Sequence, residues 1–144
     1  HNLARALAEI GQHGISQRQF EASLAIKRRL GGDNCTEVAR TLMGLGALAG
    51  GPLRDFARAL NCFKEALFIY RANLEELSGV GGDRGTGGGS HEGCGDGMSS
   101  SQALFGEEDA EEIDFHIQNA LKNIGLIEAA MMKDAEGKSK RRRR

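Results

Sequence analysis

Residues 38–70 decide the fold, and they read VARTLMGLGALAGGPLRDFARALNCFKEALFIY. This stretch contains two segments joined by Gly50-Gly51-Pro52, and in each segment apolar residues recur at steps of three and four. That spacing predicts one buried helical face per segment. The faces consist of Val38, Leu42, Leu45 and Ala49 in the first segment and of Phe56, Leu60, Phe63, Leu67 and Tyr70 in the second. Small residues (Gly46, Ala59 and Ala66) fall where two close-packed helices would touch. We therefore predict a helical hairpin in which Gly46 packs against Ala59.

The composition favours one α-helical domain. The chain has 144 residues with a single proline and no tryptophan, and its net charge of −1 excludes a uniformly basic nucleic-acid binder. No run of about 18 apolar residues is present, so we expect no membrane span. The three cysteines form no CxxC pair, and we expect a reduced, intracellular protein, cytoplasmic rather than nuclear, with an organelle left open. Because the chain begins at His1 within a predicted helix, we expect a fragment of a longer protein.

The central hairpin repeats along the chain. Leu3 and Leu45 lie 42 residues apart, Phe20 and Phe63 lie 43 apart, and FEASLAIKRRL parallels FKEALFIYRANL. Self-similarity at a fixed period indicates repeated units, so we predict two hairpins, over residues 2–30 and 37–77. The second helix of the first hairpin begins either at a capping box formed by Ser16 and Gln19 or a few residues earlier. It ends at Gly31-Gly32-Asp33. The predicted helix caps downstream are Asn34 or Thr36 for the third helix and Asp55 for the fourth.

The remainder of the chain divides into three segments. Residues 78–105 are rich in Gly and Ser and predict a disordered loop that lacks a phosphate-binding fingerprint. His91 and Cys94 in this loop are too few to hold a metal ion. Residues 106–134 predict a helix, within which IQNALKNIG (117–125) repeats VARTLMGLG (38–46) and aligns Ile124-Gly125 with Leu45-Gly46. Residues 135–144 form a basic tail.

These patterns together resemble the tetratricopeptide repeat, in particular the 42-residue form seen in kinesin light chains. The family pairs Leu and Gly in its first helix and spaces Ala, Phe and Ala along its second. The matching residues are Leu45-Gly46, Phe56, Ala59, Phe63 and Ala66 in the central copy, Leu3-Ala4, Ser16, Phe20 and Ser23 in the first, and Ile124-Gly125 in the last. The resemblance implies an all-α, short right-handed α-solenoid of about two and a half repeats, which is either marginally stable or completed by flanking repeats outside this sequence. Two features depart from the family. Gly44 and Gly50 weaken a helix interior, and Glu128 replaces a large apolar residue, which makes the last helix a solvated cap.

The resemblance also implies a protein–protein interaction scaffold that binds a peptide in its concave groove. The groove residues by alignment are Asn2, Arg5, Arg40, Met43, Ala47, Asn119, Lys122, Asn123 and Leu126. Their positive charge favours an acidic peptide. Alternatively, the basic residues 138–144 contact nucleic acid or a nuclear import receptor. No catalytic spacing links the four histidines to a nucleophile or carboxylate, so we expect neither an enzyme nor a cofactor or metal.

Overall fold

The computed structural model describes residues 1–77 and 110–142, which form five α-helices and no strand. The helices are α1 (Asn2–Glu9), α2 (His13–Gly31), α3 (Thr36–Gly50), α4 (Phe56–Leu77) and α5 (Ala110–Arg142). Each helix packs on the next one along the chain, and α3 packs most extensively with α4. The fold is an all-α solenoid of helix hairpins, as predicted. The segment predicted as a disordered loop, residues 78–105, lies outside the described residues.

The core is continuous from the first helix to the last. Its main cluster draws residues from all five helices, from Ala4 on α1 through Leu42 and Tyr70 to Ile113 on α5. A smaller cluster contains Ala49, Ala59, Phe63 and Ile127. Because no hairpin can cover its own apolar faces completely, each depends on its neighbour for burial.

Three glycines of α3 allow the surrounding helices to approach it closely. A Cβ atom placed on Gly44 would lie 2.7 Å from Cε1 of Phe20 on α2, and one on Gly46 would lie 2.9 Å from Cε1 of Phe63 on α4. One on Gly50 would meet Ile127 of α5. The prediction that Gly46 packs against Ala59 is therefore wrong. The larger Phe63 ring fills the space at Gly46, whereas Ala59 lies opposite Gly50, one helical turn further along α3.

The first hairpin resolves the ambiguous start of α2 in favour of the earlier position. The helix begins at His13, so Ser16 lies inside it and forms no cap. Ser16 is fully buried, and its hydroxyl donates a hydrogen bond of 2.6 Å to the carbonyl oxygen of Ala4. The hydroxyl that replaces the family's alanine thus joins α1 to α2. The helix ends as predicted, because Gly32 follows it with a φ of +78°, a conformation that favours glycine.

The predicted caps have different outcomes. Neither Asn34 nor Thr36 caps α3; the residue at the cap position is Cys35, and its side chain makes no capping hydrogen bond. Asp55 does cap α4, because its Oδ1 accepts a hydrogen bond of 3.1 Å from the backbone N–H of Arg58. Arg54 precedes the cap in the left-handed region, with a φ of 53°.

The last helix is longer than predicted. α5 continues past residue 134 to Arg142, because Lys and Arg are good helix formers and positive charge is favourable near a helix carboxyl end. Gly125 does not pack against another helix, which corrects its predicted role. The space beside its equivalent, Gly46, is filled by Phe63 of the following helix, but no helix follows α5 among the described residues.

Candidate functional site

The predicted groove residues lie on α1, α3 and α5. Arg40, Met43 and Ala47 follow one another along α3 at helical spacing, as Asn119, Lys122 and Leu126 do along α5. We call the nine predicted residues the candidate surface. Its exposed members are Asn2, Arg5, Ala47, Asn119, Lys122 and Leu126, whereas Arg40, Met43 and Asn123 are half-buried.

Arg40 joins α3 to α5 at this surface. Its Nη1 lies 2.7 Å from Oε1 of Glu37, and its Nη2 lies 3.5 Å from Oε1 of Glu112. Two carboxylates therefore surround the guanidinium and offset its charge. Arg40 is one of the cations expected to attract an acidic peptide, but this ion-pair cluster makes it a bridge between α3 and α5. The positive charge still exposed on this side comes from Arg5 and Lys122.

A lysine on α2 belongs to the same polar cluster. Nζ of Lys27 lies 2.6 Å from Oε2 of Glu37 and donates a hydrogen bond of 3.1 Å to Oγ1 of Thr41. The side chains of Lys27 and Glu37 are only 13% and 15% exposed, so solvent screens this pair less than a surface ion pair. Sequence reasoning missed this cluster. The i,i+3 spacing of Glu37 and Arg40 could be recognised in the sequence. Lys27 lies on the preceding helix, 10 residues before Glu37, and no helical spacing connects the two.

The apolar residues of this surface differ in how far they are exposed. Met43 packs against both core clusters, so its half-buried side chain contributes mainly to the core beneath this surface. Ala47 and Leu126 are exposed, and Leu126 retains 59% of its accessible surface. Nδ2 of Asn123 donates a hydrogen bond of 3.3 Å to Oδ1 of Asn119, which orients both amides along α5. The exposed apolar side chains of this surface are therefore Ala47 on α3 and Leu126 on α5, and α5 also carries the two amides and Lys122.

Stacked aromatic rings fix α5 on α4 beside this surface. The rings of Tyr70 and His116 stack with centroids 5.0 Å apart, and Phe115 contacts His116 edge-on at 5.7 Å. Nε2 of His116 is buried and lies 3.8 Å from Oε1 of Glu112, the carboxylate that also contacts Arg40. The sequence assigned no role to His116, and the structure gives it a packing contact.

The residues predicted to pack the helices together are placed as follows. Leu45, Gly46, Ala59, Phe63 and Ala66 are buried, Phe56 and Ile124 are half-buried against the core, and Gly125 is exposed. Within residues 1–77 and 110–142, no group of three or more His, Cys, Asp or Glu residues could hold a metal ion. His91 and Cys94 lie outside the described residues. None of the described helices is both long and apolar enough to cross a bilayer.

The fold and this surface define a helix-hairpin repeat protein. The sequence model of the tetratricopeptide repeat matches residues 1–72, half of the chain, and the chain belongs to the tetratricopeptide repeat family. The match covers α1 to α3 and most of α4, whereas α5 lies beyond it. Comparisons with curated proteins and with solved structures found no match.

Proposed function

We propose that this protein is a scaffold that binds a peptide segment of a partner protein on the inner surface of α1, α3 and α5. Tetratricopeptide repeats generally mediate protein–protein interactions, and this chain belongs to that family. The observation that supports the position is the exposure of Ala47 on α3 and of Leu126 on α5, the helix that also carries the hydrogen-bonded amides of Asn119 and Asn123. An amide can both donate to and accept from a peptide backbone, and apolar contact adds affinity.

The charge of the surface narrows the class of peptide. Glu37 and Glu112 already offset Arg40, so a strongly acidic peptide has little to gain at the middle of the surface. Arg5 at one end and Lys122 near the other are exposed. We therefore propose a peptide with apolar side chains at its centre and acidic residues towards its ends. We also propose the longer, 42-residue repeat type of kinesin light chains, which the 42- and 43-residue spacings support.

The test begins with a peptide selected from a random library against the purified chain, whose affinity is then measured by fluorescence anisotropy. Ala47→Arg should weaken binding about tenfold or more, because it puts a charged side chain where the proposed peptide makes apolar contact. The matched control is Ala57→Arg, which makes the same change at an exposed position of α4. Equal effects of the two substitutions, or no effect of Ala47→Arg, would contradict the proposed site.

A second candidate function rests on the length of α5. This helix continues to Arg142, so residues 138–142 extend a helix that is anchored at its other end. Such a helix could present positive charge to the phosphates of a nucleic acid. RNA binding that falls steeply with salt and disappears when residues 138–144 are deleted would support it. Peptide binding that survives the same deletion would leave the inner surface as the functional site.

A further inference from the structure

Among the described residues, the outer side of α1 and α2 presents an apolar surface. Leu3, Ile15 and Ile26 are 61%, 50% and 57% exposed, and Ala22 lies between the two isoleucines. We call these four residues the amino-terminal end face. Beside them is a cleft of about 410 Å³ whose lining includes Leu3, Gln19, Ala22 and Ile26. A helix with apolar residues on two sides is typical of a position between two other elements.

The second hairpin shows how the equivalent surface is covered inside the same molecule. One period further along, Leu3 and Ile26 correspond to Leu45 and Ile69, which are buried in the cluster shared with α1 and α2. Ile15 and Ala22 correspond to Arg58 and Glu65, and these residues pair with Glu21 and Arg28 of α2. The internal surface is thus closed partly by ion pairs, whereas the end face has only apolar side chains at those two positions.

The other end of the solenoid presents a second apolar surface, on α5. Leu121 and Met132 are 40% and 71% exposed, and Gly125 between them has open space where its equivalent Gly46 receives Phe63. We call Leu121, Gly125 and Met132 the carboxyl-terminal end face. At Gly125 the missing side chain leaves a notch, and the equivalent notch of α3, at Gly46, accommodates Phe63 of the neighbouring helix.

The two end faces are bordered by residues of opposite charge. On α2, Lys27, Arg28 and Glu21 are already paired with Glu37, Glu65 and Arg58. The other two cations of α2, Arg18 and Arg29, are exposed beside the amino-terminal end face. Residues 110–142 contain six carboxylates and six Lys or Arg residues, and Asp114 and Glu128 share the side of α5 that carries Gly125. Opposite charge favours contact between unlike faces, whereas contact between like faces brings like charges together.

We propose that the amino-terminal end face of one copy of this chain binds the carboxyl-terminal end face of a second copy, head to tail. In this contact α2 of one copy packs on α5 of the other, with Ile26 and Ile15 against Leu121, Met132 and the notch at Gly125. Arg18 and Arg29 lie near Asp114 and Glu128. The contact is heterologous, so each dimer keeps one free face of each kind and further copies add to it.

The test measures the mass of the full chain by light scattering over a wide range of concentrations. The parent chain should form dimers and longer species as its concentration rises, and added salt should reduce them because the charges are exposed. Ile26→Asp blocks one face and Met132→Asp blocks the other, and each variant alone should associate at least about tenfold more weakly. An equimolar mixture of the two variants should form a dimer that grows no further, because one unblocked face of each kind remains.

The control substitution is Asn61→Asp, at an exposed position of α4 away from both end faces. It makes a similar addition of negative charge and should leave association unchanged. A second pair, Arg29→Glu and Glu128→Lys, checks the charges without adding a carboxylate to the apolar contact, and the mixture should associate more tightly than either variant alone. A parent chain that stays monomeric throughout would overturn the proposal. So would a dimer of Met132→Asp alone, since it would indicate a symmetric contact through α2.

Discussion

Glycines in the interior of α3 act as sites of close approach. Gly44, Gly46 and Gly50 each face an apolar side chain from a different neighbouring helix. From sequence alone, Gly44 and Gly50 are expected only to lower the stability of α3, since an interior glycine destabilises a helix by about 1 kcal/mol relative to alanine. The structure shows what compensates for that cost: the rings of Phe20 and Phe63 and the side chain of Ile127 lie where Cβ atoms would otherwise be.

Alanine substitution separates helix propensity from close approach. Gly44→Ala should destabilise the fold by about 1–3 kcal/mol, because the new methyl group would overlap the buried ring of Phe20 and outweigh the gain in helix propensity. Gly125→Ala makes the same change where nothing lies within 4 Å, and it should stabilise the fold by about 0.5–1 kcal/mol. Urea unfolding of both variants measures the difference. Stabilisation by Gly44→Ala would show that Phe20 does not pack there.

The carboxylate of Glu21 gives the protein a pH-dependent contribution to stability. Hydrogen bonds from Gln17 and Arg58 to this carboxylate lower the pKa of Glu21 in the folded protein. A lowered folded-state pKa stabilises the protein above the ordinary glutamate pKa, and this contribution disappears as the pH falls through the lowered value. Because the side chain is 43% exposed, the ion pair contributes no more than about 1 kcal/mol.

Glu21→Gln should therefore lower the free energy of unfolding slightly at neutral pH. The difference from the parent should be smaller at pH 3, which lies below the ordinary glutamate pKa of about 4.3. Urea titrations at both pH values measure it, and Glu76→Gln, at an exposed position of the neighbouring helix α4, is the control. A loss that is the same at both pH values would mean that the carboxylate charge does not contribute.

At the scale of elements, each hairpin is closed by a different small side chain. Ser16 joins α2 to α1 through its hydrogen bond to Ala4, and Ala59 brings α4 close to α3 at Gly50. The first hairpin therefore has a polar link where the family has only apolar contact. Since α1 contains only eight residues, its helicity depends on such tertiary contacts rather than on its own propensity.

Removing the Ser16 hydroxyl should loosen α1. Ser16→Ala leaves a carbonyl without one of its partners and should cost about 0.5–1.5 kcal/mol. Amide hydrogen exchange should accelerate most in residues 2–9, because this short helix packs mainly on α2. The matched control is Ser23→Ala, at the other serine of α2 that replaces a family alanine. Exchange that accelerates equally throughout the chain would contradict a local role for Ser16.

Overpacking tests the second hairpin in the same way. Ala59 is fully buried on α4, whereas Ala57 is exposed on the same helix. Ala59→Leu should destabilise the fold by about 1–3 kcal/mol, because three added carbons have no space at Gly50. Ala57→Leu adds the same atoms towards solvent and should change thermal stability little. Equal melting temperatures for the two variants would contradict the packing of α3 on α4.

The sequence predicted the elements well because their signals are periodic. Apolar spacing and the 42-residue period identified the repeated hairpins, and Asp55 marked the start of α4. The pairing of residues across helices was predicted less well: Gly46 faces Phe63 rather than Ala59, and Arg40 contacts Glu112 from a helix 72 residues away. Such pairs depend on the rotation of one helix against another, which neither periodicity nor spacing specifies.

At the scale of the whole molecule, α5 belongs to the same core as the repeats although 32 residues separate it from α4. Tyr70 stacks on His116, while Phe63 and Ile127 share the smaller cluster, so α4 and α5 run antiparallel. The end of α4 lies about 10 Å beyond Tyr70, and the start of α5 lies about 9 Å before His116, on the same side of the stack. A connection of a few residues is therefore enough to join them.

Shortening that connection tests whether it contributes to the fold. The composition of residues 78–105 predicts a disordered loop, and the entropy cost of closing such a loop changes only with the logarithm of its length. Deletion of residues 81–100 should therefore leave the protein folded and stabilise it by about 1 kcal/mol or less. Urea unfolding measures the change, and Ile127→Ala, which removes a buried contact of α5, should instead cost about 2–5 kcal/mol. A deletion that releases α5 or destabilises the core would show that the connecting segment packs on the helices, because a closure entropy alone cannot produce that loss.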